Sequence, residues 1–198
     1  AVGLAAHFDK VAAVALSRSQ LDNAAAHPKV DYRVAAAEDT GLAAASVDLI
    51  ASASGMHWFD PVRFHAEVRR VAAPGAVVAG WCYGRDLRVT REVDAVVERY
   101  ASEVLGPYWE PEIRHVFSDY ATLPFPFDEL RAPAFALEED WDLARLAGDL
   151  STWSAAGRYA AERGTDPWEL VRGPLAAAWG GPGRLRRIRW GVCMRVGR

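Results

Sequence analysis

Residues 47–83 read VDLIASASGMHWFDPVRFHAEVRRVAAPGAVVAGWCY, and their pattern decides the fold. The first eight residues form a short apolar run that is typical of a buried strand. Asp60 and Pro61 then begin a helix, because Asp accepts hydrogen bonds at a helix N-cap and Pro is tolerated in the first turn. The helix ends at a turn over residues 73–75, and a second apolar strand follows over residues 76–83. A strand, a helix and a strand in this order predict two parallel strands joined by a right-handed crossover.

The same alternation extends toward the N-terminus. Residues 10–16 and 30–36 have the composition of two further strands, and residues 18–26 between them have a helical pattern that Pro28 brings to an end. Residues 1–7 resemble the middle of an amphipathic helix. Strands that alternate with helices in this way predict an α/β fold with a parallel, nucleotide-binding type of sheet.

The second half of the chain has a different rhythm. Residues 85–133 begin with a long helical stretch and continue with closely spaced prolines and aromatic residues, which predicts an ordered lid-like insertion. Alternating residues return at 134–141 and 187–196, and no strand lies between them, so we expect an antiparallel pair at the edge of the sheet. The intervening helices are predicted over residues 142–151, 155–163 and 167–179. We expect residues 1–198 to form a single domain.

Composition excludes several classes of function. The chain has 23 Lys and Arg residues, 26 Asp and Glu residues, a net charge of −3 and no long run of either sign, so no nucleic-acid partner is expected. It has no apolar run of transmembrane length and no signal peptide, which predicts a cytoplasmic protein without a membrane partner. Cys82 and Cys193 have neither metal-ligand spacing nor a disulfide pattern, so no metal is expected. The sequence leaves the oligomeric state open.

The carboxyl ends of the predicted strands are where open α/β sheets bind their ligands. Small residues, a carboxylate pair, one histidine and several aromatic residues occur there. They are Ala15-Leu16-Ser17, Ala37-Glu38-Asp39, Ser54-Gly55-Met56-His57-Trp58 and Trp81-Cys82-Tyr83-Gly84. This composition suits a ligand of the size of adenosine.

The order and spacing of short motifs along nearly the whole chain resemble a class I S-adenosylmethionine-dependent methyltransferase, similar to the methyltransferase type 11 and trans-aconitate methyltransferase-like group. The motifs of the first half are Leu16-Ser17, Ala37-Glu38, His57-Trp58-Phe59-Asp60, Arg69-Arg70-Val71 and Ala73-Pro74-Gly75. Those of the second half are Gly106-Pro107-Tyr108-Trp109, His115-Val116, Leu123-Pro124-Phe125-Pro126-Phe127, Thr152-Trp153-Ser154-Ala155, Arg158-Tyr159 and Arg195-Val196-Gly197-Arg198.

The resemblance implies a Rossmann-like, mostly parallel sheet with a C-terminal antiparallel strand pair and S-adenosylmethionine as the cofactor. It also implies transfer of a methyl group to a small molecule by in-line displacement, with a carboxylate oxygen as one acceptor. The chain departs from the family in two ways. The first strand and its glycine-rich loop would precede Ala1, and Ala15 stands where the family has an acidic residue for the ribose hydroxyls. Loss of such a charge-assisted hydrogen bond lowers affinity about tenfold to a hundredfold.

The resemblance assigns cofactor contacts to residues at the strand ends. They are Ala15, Leu16, Ala37, Glu38, Ser54, His57 and Trp58. Glu38 is expected near the adenine, with a solvated loop carboxylate as the alternative. His57 is either a general base or a residue that shapes the pocket. Trp58 packs either on the adenosine or in the core.

Aromatic residues of the second half are candidates for the acceptor pocket: Tyr108, Trp109, Trp153 and Tyr159. Aromatic rings supply rigid apolar walls, although a lid that packs on itself is an equally good interpretation. Arg85 and Arg158 are candidates to hold an acidic acceptor through a bidentate contact, with surface salt bridges as the alternative.

Two other functions remain open at the level of sequence. A non-catalytic, degenerate or truncated methyltransferase-like binding module is consistent with Ala15 and with the absent glycine-rich loop. A nicotinamide-dependent oxidoreductase on a similar sheet is disfavoured, because Lys10 and Lys29 are the only lysines and neither belongs to a Tyr-x-x-x-Lys pair.

Overall fold

The computed structural model of the chain describes residues 1–83 and 87–198. The strands are β1 (Val11–Ala15), β2 (Val30–Val34), β3 (Val47–Ala53), β4 (Ala72–Arg88), β5 (Glu129–Leu130), β6 (Phe135–Trp141) and β7 (Arg186–Gly197). The helices are α1 (Arg18–Asp22), α2 (Pro61–Val71), α3 (Arg91–Arg99), α4 (Ile113–Phe117), α5 (Leu143–Ser151), α6 (Ser154–Arg163) and α7 (Arg172–Trp179). Shorter 3-10 turns cover Val2–Ala6, Met56–Trp58, Gly106–Tyr108 and Pro167–Leu170.

The sheet has the predicted mixture of parallel and antiparallel strands. β1 pairs with β2 and β3 pairs with β4, both in parallel. β7 runs antiparallel to β4, and β5 and β6 each run antiparallel to β7. The α/β class and the late antiparallel pair are therefore confirmed.

A groove of about 620 Å³ lies between β1 and β3. Val11 and Ala12 of β1 line one side, and Val47, Leu49 and Ala51 of β3 line the other. In the part of the chain that the structure describes, β1 and β2 form one sheet, called the first sheet below, and β3 and β4 belong to a second sheet. The expectation of a further strand before Ala1 stays a prediction.

β4 is longer at both ends than the sequence indicates. It begins at Ala72, because the predicted turn at residues 73–75 is an irregularity within the strand, where Gly75 has a φ of +83°. It ends at Arg88. The helix expected from residue 85 is therefore wrong at Leu87 and Arg88, which pair with β7, and the part of that prediction at residues 85 and 86 lies outside the described residues. Pairing of Leu87 and Arg88 with β7 overrides the local helical pattern, and α3 begins only after Thr90, whose side chain accepts a hydrogen bond from Val93 N–H.

Two predicted helices also differ from the structure. The segment near the N-terminus is the 3-10 turn Val2–Ala6 instead of an α-helix. The helix expected over residues 167–179 consists of the 3-10 turn Pro167–Leu170 and α7. Pro174 explains this division, because it has no N–H to donate within a continuous helix and is tolerated only in a first turn.

The apolar residues form two cores. The larger one lies between α3, α5, α6, α7 and the strands β4 and β7, and includes Trp179 and Ile188. The smaller one packs α2 against the sheet and includes Phe64 and Val78. The predicted lid, residues 85–133, contributes Tyr108 to the larger core and Tyr120 to the smaller one. These two side chains of the segment therefore belong to the packed interior, and the lid-like role of the segment stays a prediction.

Glu67 of α2 fixes the loop that follows β2. Its side chain is only 7% exposed, accepts hydrogen bonds from the N–H and the hydroxyl of Thr40 at 2.8 and 2.5 Å, and pairs with Arg70 at 2.7 Å. The hydrogen bond from Arg70, assisted by those from Thr40, lowers the pKa of Glu67 from 4.5 to about 2. The ionised carboxylate therefore joins α2 to the end of the first sheet.

We predict that Glu67→Gln lowers the free energy of unfolding at pH 7 by about 2 kcal/mol, because it removes charge-assisted hydrogen bonds from a buried site. Urea unfolding measures this change. Glu169→Gln is the matched control, since Glu169 forms the same i,i+3 pair with Arg172 while 54% exposed, and its loss costs less than about 0.5 kcal/mol. Equal losses for both variants would contradict this role of Glu67.

The same carboxylate predicts a pH dependence. Because folding depresses the pKa of Glu67, its contribution is complete above pH 4.5 and is lost as the pH falls toward about 2. The difference in stability between the wild-type protein and Glu67→Gln should therefore shrink over this interval. A difference that stays constant in urea titrations from pH 6 to pH 3 would refute the depressed pKa.

Gly80 of β4 allows a close approach of Met56. A Cβ atom at this position would lie 1.8 Å from the Met56 sulfur, which is buried. We predict that Gly80→Ala lowers the unfolding free energy by about 1 to 3 kcal/mol through overpacking. Gly157→Ala, in α6 with nothing within 4 Å, should raise it by about 0.5 to 1 kcal/mol. Chemical denaturation of both variants checks the opposite signs.

Candidate active site

A cavity of about 670 Å³ opens at the carboxyl ends of β3 and β4. The loop after β3 contributes Ser54 and His57, and β4 contributes Tyr83. α3 and α4 form two walls, and Trp109 and Trp153 cover the remaining side. The cavity has the size and the mostly apolar lining of a small-molecule site.

A strained turn places His57 at this cavity. Ser54 follows the last residue of β3 in a left-handed conformation with a φ of +49°, and its N–H donates to the carbonyl of Trp81 at 2.7 Å. The chain then enters the 3-10 turn Met56–Trp58. Left-handed backbone at a non-glycine residue costs about 1 to 3 kcal/mol and occurs preferentially at functional sites. The turn directs His57 toward the cavity while Trp58 remains exposed.

His57 is 6% exposed, and its Nδ1 atom lies 3.1 Å from the hydroxyl of Tyr120. Burial lowers the pKa of His57, and His115 lowers it further, whereas Glu112 and Glu110 oppose the change. The imidazole is therefore neutral at pH 7. A neutral ring with one nitrogen held by a hydroxyl is consistent with both predicted roles of His57, which stay predictions.

The aromatic wall is a connected set of rings. The centroid of Trp109 lies 5.7 Å from that of Trp153 and 5.5 Å from that of Phe117, and Trp153 also contacts Tyr100 at 6.0 Å. The indole N–H of Trp109 donates to the carbonyl of Ala101 at 2.9 Å. Two of the predicted acceptor-pocket residues, Trp109 and Trp153, thus lie in the cavity lining.

The charged residues of the lining are mainly acidic. Among the described residues, the lining contains three carboxylates, those of Asp94, Glu98 and Asp149, and one guanidinium, that of Arg88. Burial raises the pKa of Asp149, against a hydrogen bond from Trp153 and the charge of Arg145. Sequence reasoning missed these carboxylates, because acidic residues on amphipathic helices usually face solvent.

The predicted cofactor residues at the ends of β1 and β2 lie outside this cavity lining. Leu16 is 75% exposed at the end of β1. Ala37 packs against the smaller core, and the carboxylate of Glu38 accepts a hydrogen bond from the N–H of Asp60 at 2.8 Å. Glu38 therefore joins the end of β2 to the start of α2, a role that neither interpretation of the sequence includes. The cofactor roles of Ala15, Leu16, Ala37, Glu38 and Trp58 stay predictions.

The other predicted acceptor residues make structural contacts elsewhere. The hydroxyl of Tyr108 accepts a hydrogen bond from Arg163 at 2.7 Å, and its ring packs on Tyr159 at 5.0 Å. Arg158 pairs with Glu110 at 3.4 Å on the surface. These contacts match the alternatives of internal lid packing and surface salt bridging, and the acceptor-binding roles stay predictions. Arg85 lies outside the described residues.

In residues 1–83 and 87–198, no group of three or more His, Cys, Asp and Glu side chains is placed to hold a metal ion. None of the helices in the same ranges is both long and apolar enough to cross a membrane.

Comparison with known proteins identifies the family. The family model described as "Methyltransferase domain" matches residues 1–80. A solved structure from Anaeromyxobacter dehalogenans, described provisionally as a type II methyltransferase, is 49% identical with a TM-score of 0.89, and the match covers 100% of this chain and 83% of that one. The chain belongs to the class I S-adenosylmethionine-dependent methyltransferases. A protein of Dictyostelium discoideum provisionally named a methyltransferase is 29% identical over 90% of this chain and 68% of its own length.

Membership in this family confirms the resemblance seen in the sequence and assigns the chain to the transferases. The oxidoreductase alternative is therefore rejected, because the similarity to the Anaeromyxobacter dehalogenans structure extends over the entire chain. The trans-aconitate subgroup stays a prediction.

Proposed function

We propose that this methyltransferase uses S-adenosylmethionine to methylate an oxygen of a small, largely apolar molecule bound in the aromatic cavity. The observation that supports the proposal is the cavity itself, which joins the His57 turn after β3 to the rings of Trp109 and Trp153. A concave, mostly apolar site of this volume suits a small ligand better than a macromolecule.

The strand ends fit the cofactor in part. Leu16 and Trp58 expose apolar surface, at 75% and 49%, on the residues that would flank an adenine base. Ser54 and His57 border the cavity where the reactive end of the cofactor would meet the acceptor. Ala15 provides no carboxylate for the ribose, so apolar contacts and backbone groups must supply most of the affinity. When bound, S-adenosylmethionine supplies the methyl group: its sulfur–carbon bond breaks as the acceptor oxygen forms the new carbon–oxygen bond, and sulfur keeps the bonding electrons.

The residues of the chain contribute alignment and exclusion of water. The rings of Trp109, Phe117 and Trp153 restrict the orientation of an acceptor, and His57 provides a neutral polar contact near the turn. Positioning alone accounts for large rate effects in displacement reactions. A hydroxyl acceptor releases its proton to solvent.

The acidic lining favours a neutral or positively charged acceptor molecule over the carboxylate expected from the resemblance. Three carboxylates, Asp94, Glu98 and Asp149, against one guanidinium, Arg88, give the lining an excess of negative charge, which disfavours an anion in an apolar cavity. The faces of Trp109 and Trp153 attract a cationic group through their quadrupoles. A phenol or alcohol that carries an amine elsewhere combines both features.

Calorimetric titration of S-adenosylmethionine and S-adenosylhomocysteine tests the donor. We expect both compounds to bind this chain. Binding by neither, together with an unchanged circular dichroism spectrum, would contradict the proposal and support the degenerate binding module.

Three phenols that differ only in side-group charge test the acceptor: 4-ethylphenol, tyramine and 3-(4-hydroxyphenyl)propanoate. We predict that kcat/KM for the anionic compound is at least about tenfold below that for tyramine. This ratio corresponds to a difference of about 1.4 kcal/mol in the free energy of activation. NMR of the products distinguishes an ether from a methyl ester. Preferred formation of the ester would reinstate the carboxylate acceptor.

Asp149→Asn should reduce the difference in kcat/KM between tyramine and the anionic phenol, because it removes one negative charge from the cavity. Asp140→Asn is the control, since Asp140 pairs with Arg187 on exposed β6 and lies outside the lining. Steady-state kinetics with both phenols measures the effect. An equal change in both variants would show that the net charge of the protein, and not the cavity, sets the preference.

A further inference from the structure

We propose that Tyr120 is a positioning residue that holds His57 in the tautomer with its proton on Nε2, so that His57 presents an N–H donor to the acceptor cavity instead of a base. The part of this inference that concerns the acceptor rests on the proposed function. The part that concerns the tautomer stands on the geometry around Tyr120 alone.

The contact between Tyr120 and His57 sets the direction of their hydrogen bond. The Tyr120 oxygen lies 3.1 Å from Nδ1 of His57, and both side chains are buried. Burial raises the pKa of Tyr120, so its hydroxyl keeps its proton. A neutral phenol is a more acidic donor than the N–H of a neutral imidazole, and the unprotonated imidazole nitrogen is the more basic acceptor, so Tyr120 donates its proton to Nδ1 of His57.

A neutral imidazole has one donor and one acceptor nitrogen. Because Nδ1 accepts the proton of Tyr120, the ring proton resides on Nε2. His57 lines the cavity, and no buried side-chain nitrogen or oxygen of the described residues lacks a hydrogen-bond partner. Nε2, which the Tyr120 contact does not use, is thus the atom by which His57 meets the cavity.

Tyr120 is held in place by packing and by hydrogen bonds to its own backbone. It is fully buried, and both Asp119 and Tyr120 have left-handed backbones, with φ of +51° and +60°. The Tyr120 N–H donates to the carbonyl of His115 at 2.7 Å, and its carbonyl accepts from Arg195 at 3.2 Å. The thiol of Cys193 donates to the carbonyl of Asp119 at 2.7 Å. Two consecutive strained residues persist only where the surroundings fix them, and here β7 supplies two of the contacts.

An N–H donor at this position selects the nucleophilic atom. An oxygen acceptor has two lone pairs, so it can bind the N–H of His57 with one and attack the methyl group with the other. A neutral amine nitrogen has a single lone pair, which the same hydrogen bond would occupy. The tautomer therefore favours methylation of oxygen over nitrogen.

Nitrogen-15 NMR of the imidazole rings tests the tautomer directly. In labelled wild-type protein at pH 7.5, we expect His57 to show a protonated Nε2 and an unprotonated Nδ1. Loss of the signal in His57→Gln assigns it among the five histidines. A proton on Nδ1, or a rapid mixture of the two tautomers, in the wild-type protein would overturn the proposal whether or not any acceptor is methylated.

Tyr120→Phe should convert the His57 signal into a mixture of tautomers, because the hydroxyl that selects between them is lost. Tyr159→Phe is the matched control in the larger core and should leave the His57 signal unchanged. If Tyr120→Phe does not fold, as judged by circular dichroism, the wild-type spectrum still decides the tautomer. An unchanged His57 spectrum in folded Tyr120→Phe would show that Tyr120 does not position the ring.

Kinetics with a phenol acceptor separates a donor from a base. The amide of His57→Gln keeps an N–H donor that can orient the acceptor oxygen and cannot act as a base, so we expect it to lose less than about tenfold in kcat. His57→Ala cannot orient the oxygen and should lose about a hundredfold. Equal losses in both variants, with a wild-type rate that follows deprotonation of an imidazole, would overturn the donor role. If wild-type protein shows the expected tautomer and no turnover, the proposed function is rejected and the positioning of His57 by Tyr120 is not.

Discussion

The pairing of β4 with β3 on one side and with β7 on the other is the constraint on which the rest of the structure depends. Parallel pairing with β3 places the Ser54 turn beside Trp81, where the N–H of Ser54 meets the Trp81 carbonyl. Antiparallel pairing with β7 brings Cys193 and Arg195 to the same part of the molecule. Those two residues hold the segment around Tyr120, which contacts His57. β3 and β7, the two strands that pair with β4, therefore bring His57 and Tyr120 together in one hydrogen bond.

The sequence predicts the parts of the fold that local patterns specify. The β3, α2 and β4 unit is found within a few residues of its expected position, because Asp60 caps α2 by accepting from Val62 and Arg63, as its type and position indicate. The end of β4 was not predictable, because its continuation to Arg88 depends on β7, about a hundred residues later in the chain. Contacts between residues so far apart in the chain leave no periodic pattern in the sequence of either strand.

The candidate site shows the same division. His57, Trp109 and Trp153 could be selected from the sequence, since a histidine after a strand and clustered aromatic residues have recognisable chemistry. Tyr120 and Asp149 could not. Tyr120 belongs to an irregular segment whose direction is set by two left-handed residues, and Asp149 is an acidic residue on an amphipathic helix, a residue type that ordinarily faces solvent. Their roles depend on which elements pack opposite them, and that is a property of the tertiary structure.

Two carboxylates connect the first sheet to the rest of the site, one near each end of α2. Glu38, after β2, accepts from the N–H of Asp60 at the start of the helix, and Glu67, near its end, binds Thr40 in the same loop. Both carboxylates are occupied by hydrogen bonds within the protein, so their charges are balanced by N–H groups and by Arg70. A ligand held at the ends of β1 and β2 would consequently take its position relative to His57 from α2. For such a ligand, α2 would set the geometry of transfer as much as the aromatic wall does, although this helix does not line the cavity.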